Sequence, residues 1–212
     1  MSGLLVVAID GPAGAGKSSV ARAVAARLGI RYLDTGAMYR ALTWLALHDG
    51  VALDDAEALA ALARAQRVTF GADGGVAIGG HDVTAEIREP EIDASVPVVA
   101  RHQEVRSVMR ERQRELAHGD HAVIEGRDIG VVVVPDASLK IWLTADPDVR
   151  ARRRHAERDG IEHETLAEEL RRRDERDAAN THRAPDAIEV DTTELTLEQV
   201  VERIAELAET LR

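Results

Sequence analysis

Leu4-Leu5-Val6-Val7-Ala8-Ile9-Asp10-Gly11-Pro12-Ala13-Gly14-Ala15-Gly16-Lys17-Ser18-Ser19-Val20 makes three structural statements in one stretch. Leu4 to Ile9 is an unbroken apolar run of strand length, the pattern of a strand buried on both faces of a parallel sheet. Gly11 to Gly16 is a glycine-rich turn. Val20, Val24, Ala25 and Leu28 then recur at helical spacing. The chain therefore opens strand, glycine-rich loop, helix.

Gly11-Pro12-Ala13-Gly14-Ala15-Gly16-Lys17-Ser18 satisfies G-x-x-x-x-G-K-[ST] in full. In such a loop, glycines let successive backbone N–H groups turn inward on a phosphate, and the helix that follows presents its positive end to the same anion. A lysine at position 17 sets a compact ammonium between the β- and γ-phosphates of ATP, and a hydroxyl at Ser18 can meet Mg²⁺. Gly11 to Ser19 are the expected nucleotide contacts, and ATP and Mg²⁺ the expected ligands. Lys17 and Lys140 are the only lysines among 27 basic residues, so each invites a specific reason. An arginine fork does not fit a phosphate loop as a point charge does.

Working outward, Tyr32-Leu33 reads as a short strand, with Asp34 or Thr35 capping a helix whose apolar face is Met38, Ala41, Leu42 and Leu45. Residues 54–65 read as an alanine-rich helix. Val68-Thr69-Phe70, a Gly-Ala-Asp-Gly-Gly turn and Val76-Ala77-Ile78 read as a β-hairpin. The stretch to about Pro97 is short-period and polar, and a long helix is predicted from Val98 to Ala117. Ala122-Val123-Ile124 is a strand ending at Glu125-Gly126-Arg127-Asp128, and Leu139 to Leu143 is another. Residues 146–180 read as helical and intensely charged, Ala187 to Val190 as a last strand, and Leu197 to Leu211 as an amphipathic final helix. This alternation predicts an α/β fold: a five-stranded parallel sheet with helices on both faces.

Composition narrows the function. With 45% hydrophobic and 31% charged residues the chain is ordinary for a soluble globular domain, and no apolar run approaches the roughly 20 residues of a membrane span. The Leu4–Ile9 run is too short for a signal-peptide core, so a cytoplasmic protein is expected. The absence of cysteine excludes disulfides, thiolate metal sites and a cysteine nucleophile. A formal net charge of −11 disfavours nucleic acid as a partner, so any bound anion must be caught by locally concentrated positive charge. No N-K-x-D segment for reading guanine is present. A kinase of small substrates fits this length better than a motor or AAA-type ATPase.

Four segments sharpen that reading: Ile9-Asp10-Gly11-Pro12, Leu33-Asp34-Thr35-Gly36-Ala37-Met38-Tyr39-Arg40, Glu125-Gly126-Arg127-Asp128-Ile129-Gly130 and Arg173-Asp174-Glu175-Arg176-Asp177. In this order and spacing the chain resembles the bacterial cytidylate kinases over nearly its whole length. The resemblance implies the P-loop NTPase fold and transfer of the γ-phosphoryl group of ATP to CMP and dCMP. It implies that Arg40 and Arg127 hold the CMP phosphate, with Thr35 beside them, and that Asp128 and Arg106 read cytosine. Arg173 and Asp177 are then lid residues approaching the phosphates and the ribose. A carboxylate suits the cytosine amine and a guanidinium the ring acceptor. Two positions depart from the family pattern. Pro97 stands where the family has a base-contacting serine, and Ser95 is the expected stand-in. Asn180 stands where it has a lid arginine, and Arg183 is expected to supply the missing cation, with Arg176 as the alternative.

The expected organisation is one domain: a core of 1–56, 98–145 and 184–212, an acceptor-binding insertion at 57–97 and a lid at 146–183, acting as a monomer on small molecules. Lys17, Arg127, Arg173 and Arg183 are the expected catalytic residues. A P-loop kinase of another metabolite, such as shikimate or dephospho-coenzyme A, and a nucleotide-binding module without transfer are the competing readings.

Overall fold

The computed structural model describes residues 4–71, 74–157 and 162–211. Along the chain, β1 (Val6–Asp10) runs into the Gly11–Gly16 loop and α1 (Lys17–Leu28), which ends at left-handed Gly29. β2 (Arg31–Asp34) leads into α2 (Thr35–His48), and the Asp34 carboxylate caps that helix by accepting the Ala37 N–H at 2.8 Å. Asp55 caps α3 (Ala56–Ala65) in the same way. Then come β3 (Val68–Phe70), β4 (Val76–Ile78), β5 (His81–Asp82), α4 (Pro90–Ala100) and α5 (Gln103–Ala117). β6 (Ala122–Gly126), a π-helical turn at Ile129–Val133 and β7 (Leu139–Thr144) follow. The chain closes with α6 (Pro147–Glu157), α7 (His163–Asp177), a 3-10 turn at Ala178–Asn180, β8 (Ile188–Asp191) and α8 (Leu197–Glu209).

Two compact units emerge, Met1–Leu33 with Ala117–Arg212, and Asp34–Leu116. The first is built on a five-stranded sheet of order β2-β6-β1-β7-β8. β1 pairs parallel with β6 and β7, and β8 pairs parallel with β7. All five positions of β1 are buried, as its unbroken apolar run predicts. Leu5, Val7, Ile9, Ile141, Leu143 and Val190 face α1 and α8, which cover that side with Val20, Val24, Leu28, Val200 and Ile204. Truncating any of the larger of these to Ala would cost about 2–5 kcal/mol. A capping box, Thr196 with Gln199, starts α8.

In the second unit, β3, β4 and β5 form an antiparallel sheet, and the core gathers Met38, Leu42 and Leu45 of α2, Leu59 of α3, Ile78 of β4 and Val105 and Met109 of α5. Its bounds, Asp34–Leu116, are wider than the 57–97 segment expected as an insertion.

Several elements differ from the sequence reading. The hairpin carries a third strand, β5, and Ala72 and Asp73 of its turn lie outside the described residues. The long helix predicted at 98–117 is instead two helices that break at Arg101 and His102. α4 begins earlier, with Pro90 in its first turn where no N–H is needed, and tolerates Pro97 inside it. The break is tertiary in origin. His102 Nε2 lies 2.9 Å from the Leu53 carbonyl oxygen, while the His102 carbonyl accepts the Arg106 N–H in the first turn of α5 at 3.0 Å. The charged 146–180 stretch is two helices and a 3-10 turn, with residues 158–161 outside the described residues.

Candidate active site

The phosphate loop sits at the carboxyl ends of the parallel strands, where open α/β sheets bind ligands. Gly11 is required by close approach, since a Cβ there would collide with the backbone carbonyl of Leu143 on β7. Gly16 is the N-cap of α1, so Lys17 and Ser18 open the helix whose positive end faces the loop. Lys17 Nζ folds back and donates to the Pro12 carbonyl at 2.7 Å. The side chain is buried, and burial lowers its pKa from 10.5 to about 7. The positive charges of Arg127 and Arg173 push it the same way, while Glu125 and Asp10 oppose.

Those influences map a cluster that the fold assembles from distant segments. Arg127, just past β6, ion-pairs through Nη2 with Asp177 at 2.7 Å and donates from Nη1 to the Gly11 carbonyl at 3.4 Å. Arg173, one turn before Asp177 on α7, reaches the same carboxylate oxygen at 3.8 Å. Lys17, Arg127, Arg173 and Asp177, all expected from the sequence, are thus brought together. Two arginines share the Asp177 carboxylate, and both bear on Lys17 at the phosphate loop, which concentrates positive charge suited to a polyanion.

Two buried acids complete it. Glu125, 5% exposed at the end of β6, accepts from the Ser18 hydroxyl at 2.6 Å and the Tyr32 hydroxyl at 3.2 Å. Asp10, 4% exposed at the end of β1, accepts the backbone N–H groups of Ile129 and Gly130, each at 2.8 Å. Burial raises the Asp10 pKa to about 6 against the lowering effect of those two hydrogen bonds, with Asp128 nearby adding to the rise. Asp10 so pins the π-helical turn that Asp128 precedes, and Asp128 itself is buried. The Ser18 hydroxyl and the Glu125 carboxylate are adjacent hard oxygen donors of the kind Mg²⁺ takes together with substrate phosphates. Among the described residues no group of three or more His, Asp or Glu could hold a metal ion by itself.

Other expected residues lie elsewhere in their own units. Arg40, on α2, donates to Asp93 at 3.3 Å and approaches Asp34 at 3.9 Å. Thr35 is buried at the start of α2, Arg106 is buried on α5, and Ser95 is half-buried on α4 with exposed Pro97 one half-turn on. Ser19 is exposed on α1. Asn180 ends the 3-10 turn. Arg183 is not in the cluster described above: it pairs with Glu189 and donates to the Ala187 carbonyl at 3.2 Å. Arg176, nearly one turn after Arg173, donates to its own helix at the Arg172 carbonyl.

Sequence reasoning missed Glu125, Asp10, Arg150 and Asp174. A signal existed for the first two, since each is an acid ending an otherwise apolar strand. Lys140 has a structural use: buried on β7, it pairs with Asp186 at 2.8 Å.

A five-stranded parallel sheet with a complete phosphate loop and converging cations defines a P-loop protein of the small-molecule-kinase architecture. Solved structures agree at the level of fold. Shikimate kinase from Bacteroides thetaiotaomicron superimposes with a TM-score of 0.52 at 19% identity, covering 97% of this chain and 98% of that one. A gluconokinase from Sinorhizobium meliloti gives 0.52 at 15% identity, covering 99% and 95%. The sequence model of the Cytidylate kinase family matches residues 7–210. Cytidylate kinases from Geobacillus sp. and Streptomyces avermitilis are 48% and 45% identical to it, over 95% and 98% of this chain and 95% and 94% of theirs. A bifunctional pantoate ligase/cytidylate kinase from Synechococcus sp. is 47% identical over 95% of this chain and 40% of its own length. The chain belongs to the cytidylate kinase family.

Proposed function

We propose that this protein transfers the γ-phosphoryl group of ATP to CMP, and to dCMP, giving CDP or dCDP and ADP. The observation that carries this is the convergence of Lys17, Arg127 and Arg173 on the phosphate loop in a chain of the cytidylate kinase family. ATP places its phosphates in the Gly11–Ser19 loop, with Lys17 at the β- and γ-phosphates. Ser18 and Glu125 would hold Mg²⁺, which when bound neutralises charge on the donor phosphates. Arg40, Arg127 and Thr35 take the CMP phosphate. Asp128 accepts from the cytosine amine and Arg106 donates to the ring, with Ser95 beside the base. Residues 146–183 are the lid, carrying Arg173 toward the transferred group and Asp177 toward the ribose. Arg183 reaches the phosphates only if it leaves Glu189.

An oxygen of the CMP phosphate attacks the γ-phosphorus in line as the bond to the ADP oxygen breaks. A phosphate monoester loses its second proton near pH ~6, so no general base is needed. Asp10 is buried and holds the backbone N–H groups of Ile129 and Gly130, a structural use of its carboxylate. Catalysis is positioning and charge neutralisation, with water excluded by lid closure. The protein acts as a cytoplasmic monomer on small molecules. Among the described residues no helix is long and apolar enough to cross a membrane.

ADP release measured with ATP and a panel of CMP, dCMP, UMP, shikimate and dephospho-coenzyme A tests the reading. CMP-stimulated turnover supports it. Stimulation by a non-nucleotide alone, or ATP binding with no acceptor-dependent turnover, would overturn it.

A further inference from the structure

The arm formed by α6 and α7 grips the phosphate loop at one residue. The Ala13 N–H donates to Asp174 Oδ1 at 3.0 Å, and the Ala13 carbonyl accepts from Arg150 Nη1 at 2.8 Å. That same Arg150 nitrogen pairs with Asp174 Oδ2 at 2.5 Å. Both polar groups of Ala13 are therefore held by two side chains that also hold each other, one from α6 and one from α7. Apolar contact seals the joint, with Ala13, Ala151 and Leu170 buried together and Ala167 packed against them. The next loop residue is shaped to the same seat. A Cβ on Gly14 would lie 3.2 Å from Arg150 Cβ and 3.4 Å from Leu170 Cδ2, at a φ of +73° that L side chains rarely adopt.

Neither Arg150 nor Asp174 reaches the Lys17 cluster itself, yet Asp174 is the immediate neighbour of Arg173 and lies one turn from Asp177. Arg173 is 42% exposed and pairs with Asp177 on the same helix, so it moves with α7. Its direction depends on the rotation and height of α7 against the loop. The Arg150–Ala13–Asp174 joint is where that rotation is set. By contrast, the pairing of Arg171 and Arg172 with Glu168 lies within α7 itself.

We propose that Asp174 and Arg150 are positioning residues for phosphoryl transfer, locking the arm in register with the phosphate loop so that Arg173 is aimed at the reacting phosphates. This rests on the reading of Arg173 as a contact to the transferred group. It makes a prediction opposite in sign to simple electrostatics. Removing a negative charge beside the loop would by itself tighten ATP binding, whereas loss of register slows the chemical step.

The experiment is a cycle of Asp174→Asn, Arg173→Ala and the double variant, with kcat and the KM values for ATP and CMP measured for each, and melting followed by circular dichroism. Asp174→Asn keeps the shape but offers Arg150 an amide. The expected result is a fall in kcat of roughly tenfold or more, with the KM for ATP not raised and the melting temperature little changed. In the Arg173→Ala background the same substitution should cost less than about twofold, because a positioning residue has nothing left to position. Arg150→Met, which removes the nitrogen that bridges Ala13 and Asp174, should act in the same direction as Asp174→Asn. Normal kcat in Asp174→Asn, or an equal loss in both backgrounds, would overturn the proposal while leaving Arg173 in place. Wild-type turnover by Arg173→Ala would overturn the reading of Arg173, and the positioning role with it.

Discussion

Lys17 should change its protonation when ATP arrives. In the ligand-free chain burial holds its pKa near 7, helped by Arg127 and Arg173. At pH 8 only about a tenth of such lysines carry a proton. Donor phosphates beside Nζ favour the charged form and return the pKa toward its ordinary range, so binding should take up a large part of a proton per site at pH 8. Titration calorimetry in two buffers of different ionisation enthalpy measures this directly, as the difference in apparent heat divided by the difference in buffer enthalpy. Uptake should shrink toward pH 6, where the lysine is already charged. Stability should follow the same proton. Because the folded-state pKa is depressed, the unfolded chain keeps a proton that the folded chain drops between about pH 7 and 10.5, and ligand-free stability rises with pH across that window. The full excursion is on the order of 5 kcal/mol. No cysteines, one other lysine and two tyrosines leave the window nearly clear of competing groups. Lys17→Met should flatten the rise. Equal heats in both buffers at pH 8, or an unchanged slope in Lys17→Met, would refute the reasoning.

Four further outcomes are expected. Lys17→Ala should lower kcat roughly a hundredfold or more, since the ammonium meets charge developed in transfer; steady-state kinetics with CMP decides it. Asp128→Ala should lower kcat/KM for CMP and narrow the CMP/UMP gap, as uracil lacks the amine that the carboxylate accepts from; an unchanged ratio removes Asp128 from base reading. Gly11→Ala forces a Cβ into the Leu143 carbonyl and should destabilise the protein by about 3 kcal/mol or more, read as a fall in denaturant midpoint. For the position held by Asn180, Arg183→Ala should slow turnover if Arg183 leaves Glu189 to serve the phosphates, and Asn180→Arg in that variant should then restore part of the rate; normal turnover would end the substitution idea.

The phosphate loop was readable at once because its chemistry is local. Consecutive backbone amides, a lysine and a serine bind an anion through their own short segment, and the strand and helix on either side announce themselves by period. Asp34 as a cap, β1 as a doubly buried strand and α8 as an amphipathic helix follow from the same short-range rules. Tertiary structure decided what depends on distant partners. Ser18 meets Glu125 across 107 residues of chain, and Asp10 meets Ile129 across 119. The helix break at His102 depends on a carbonyl 49 residues away, so an uninterrupted apolar pattern concealed it. Among the arginines of residues 146–183, composition could not separate Arg171, spent on its neighbour Glu168, from Arg150, folded under the loop onto Ala13. Side-chain type sets what a residue can bind. Which partner it meets is set by where the sheet and helices bring it, and that is a property of the whole chain.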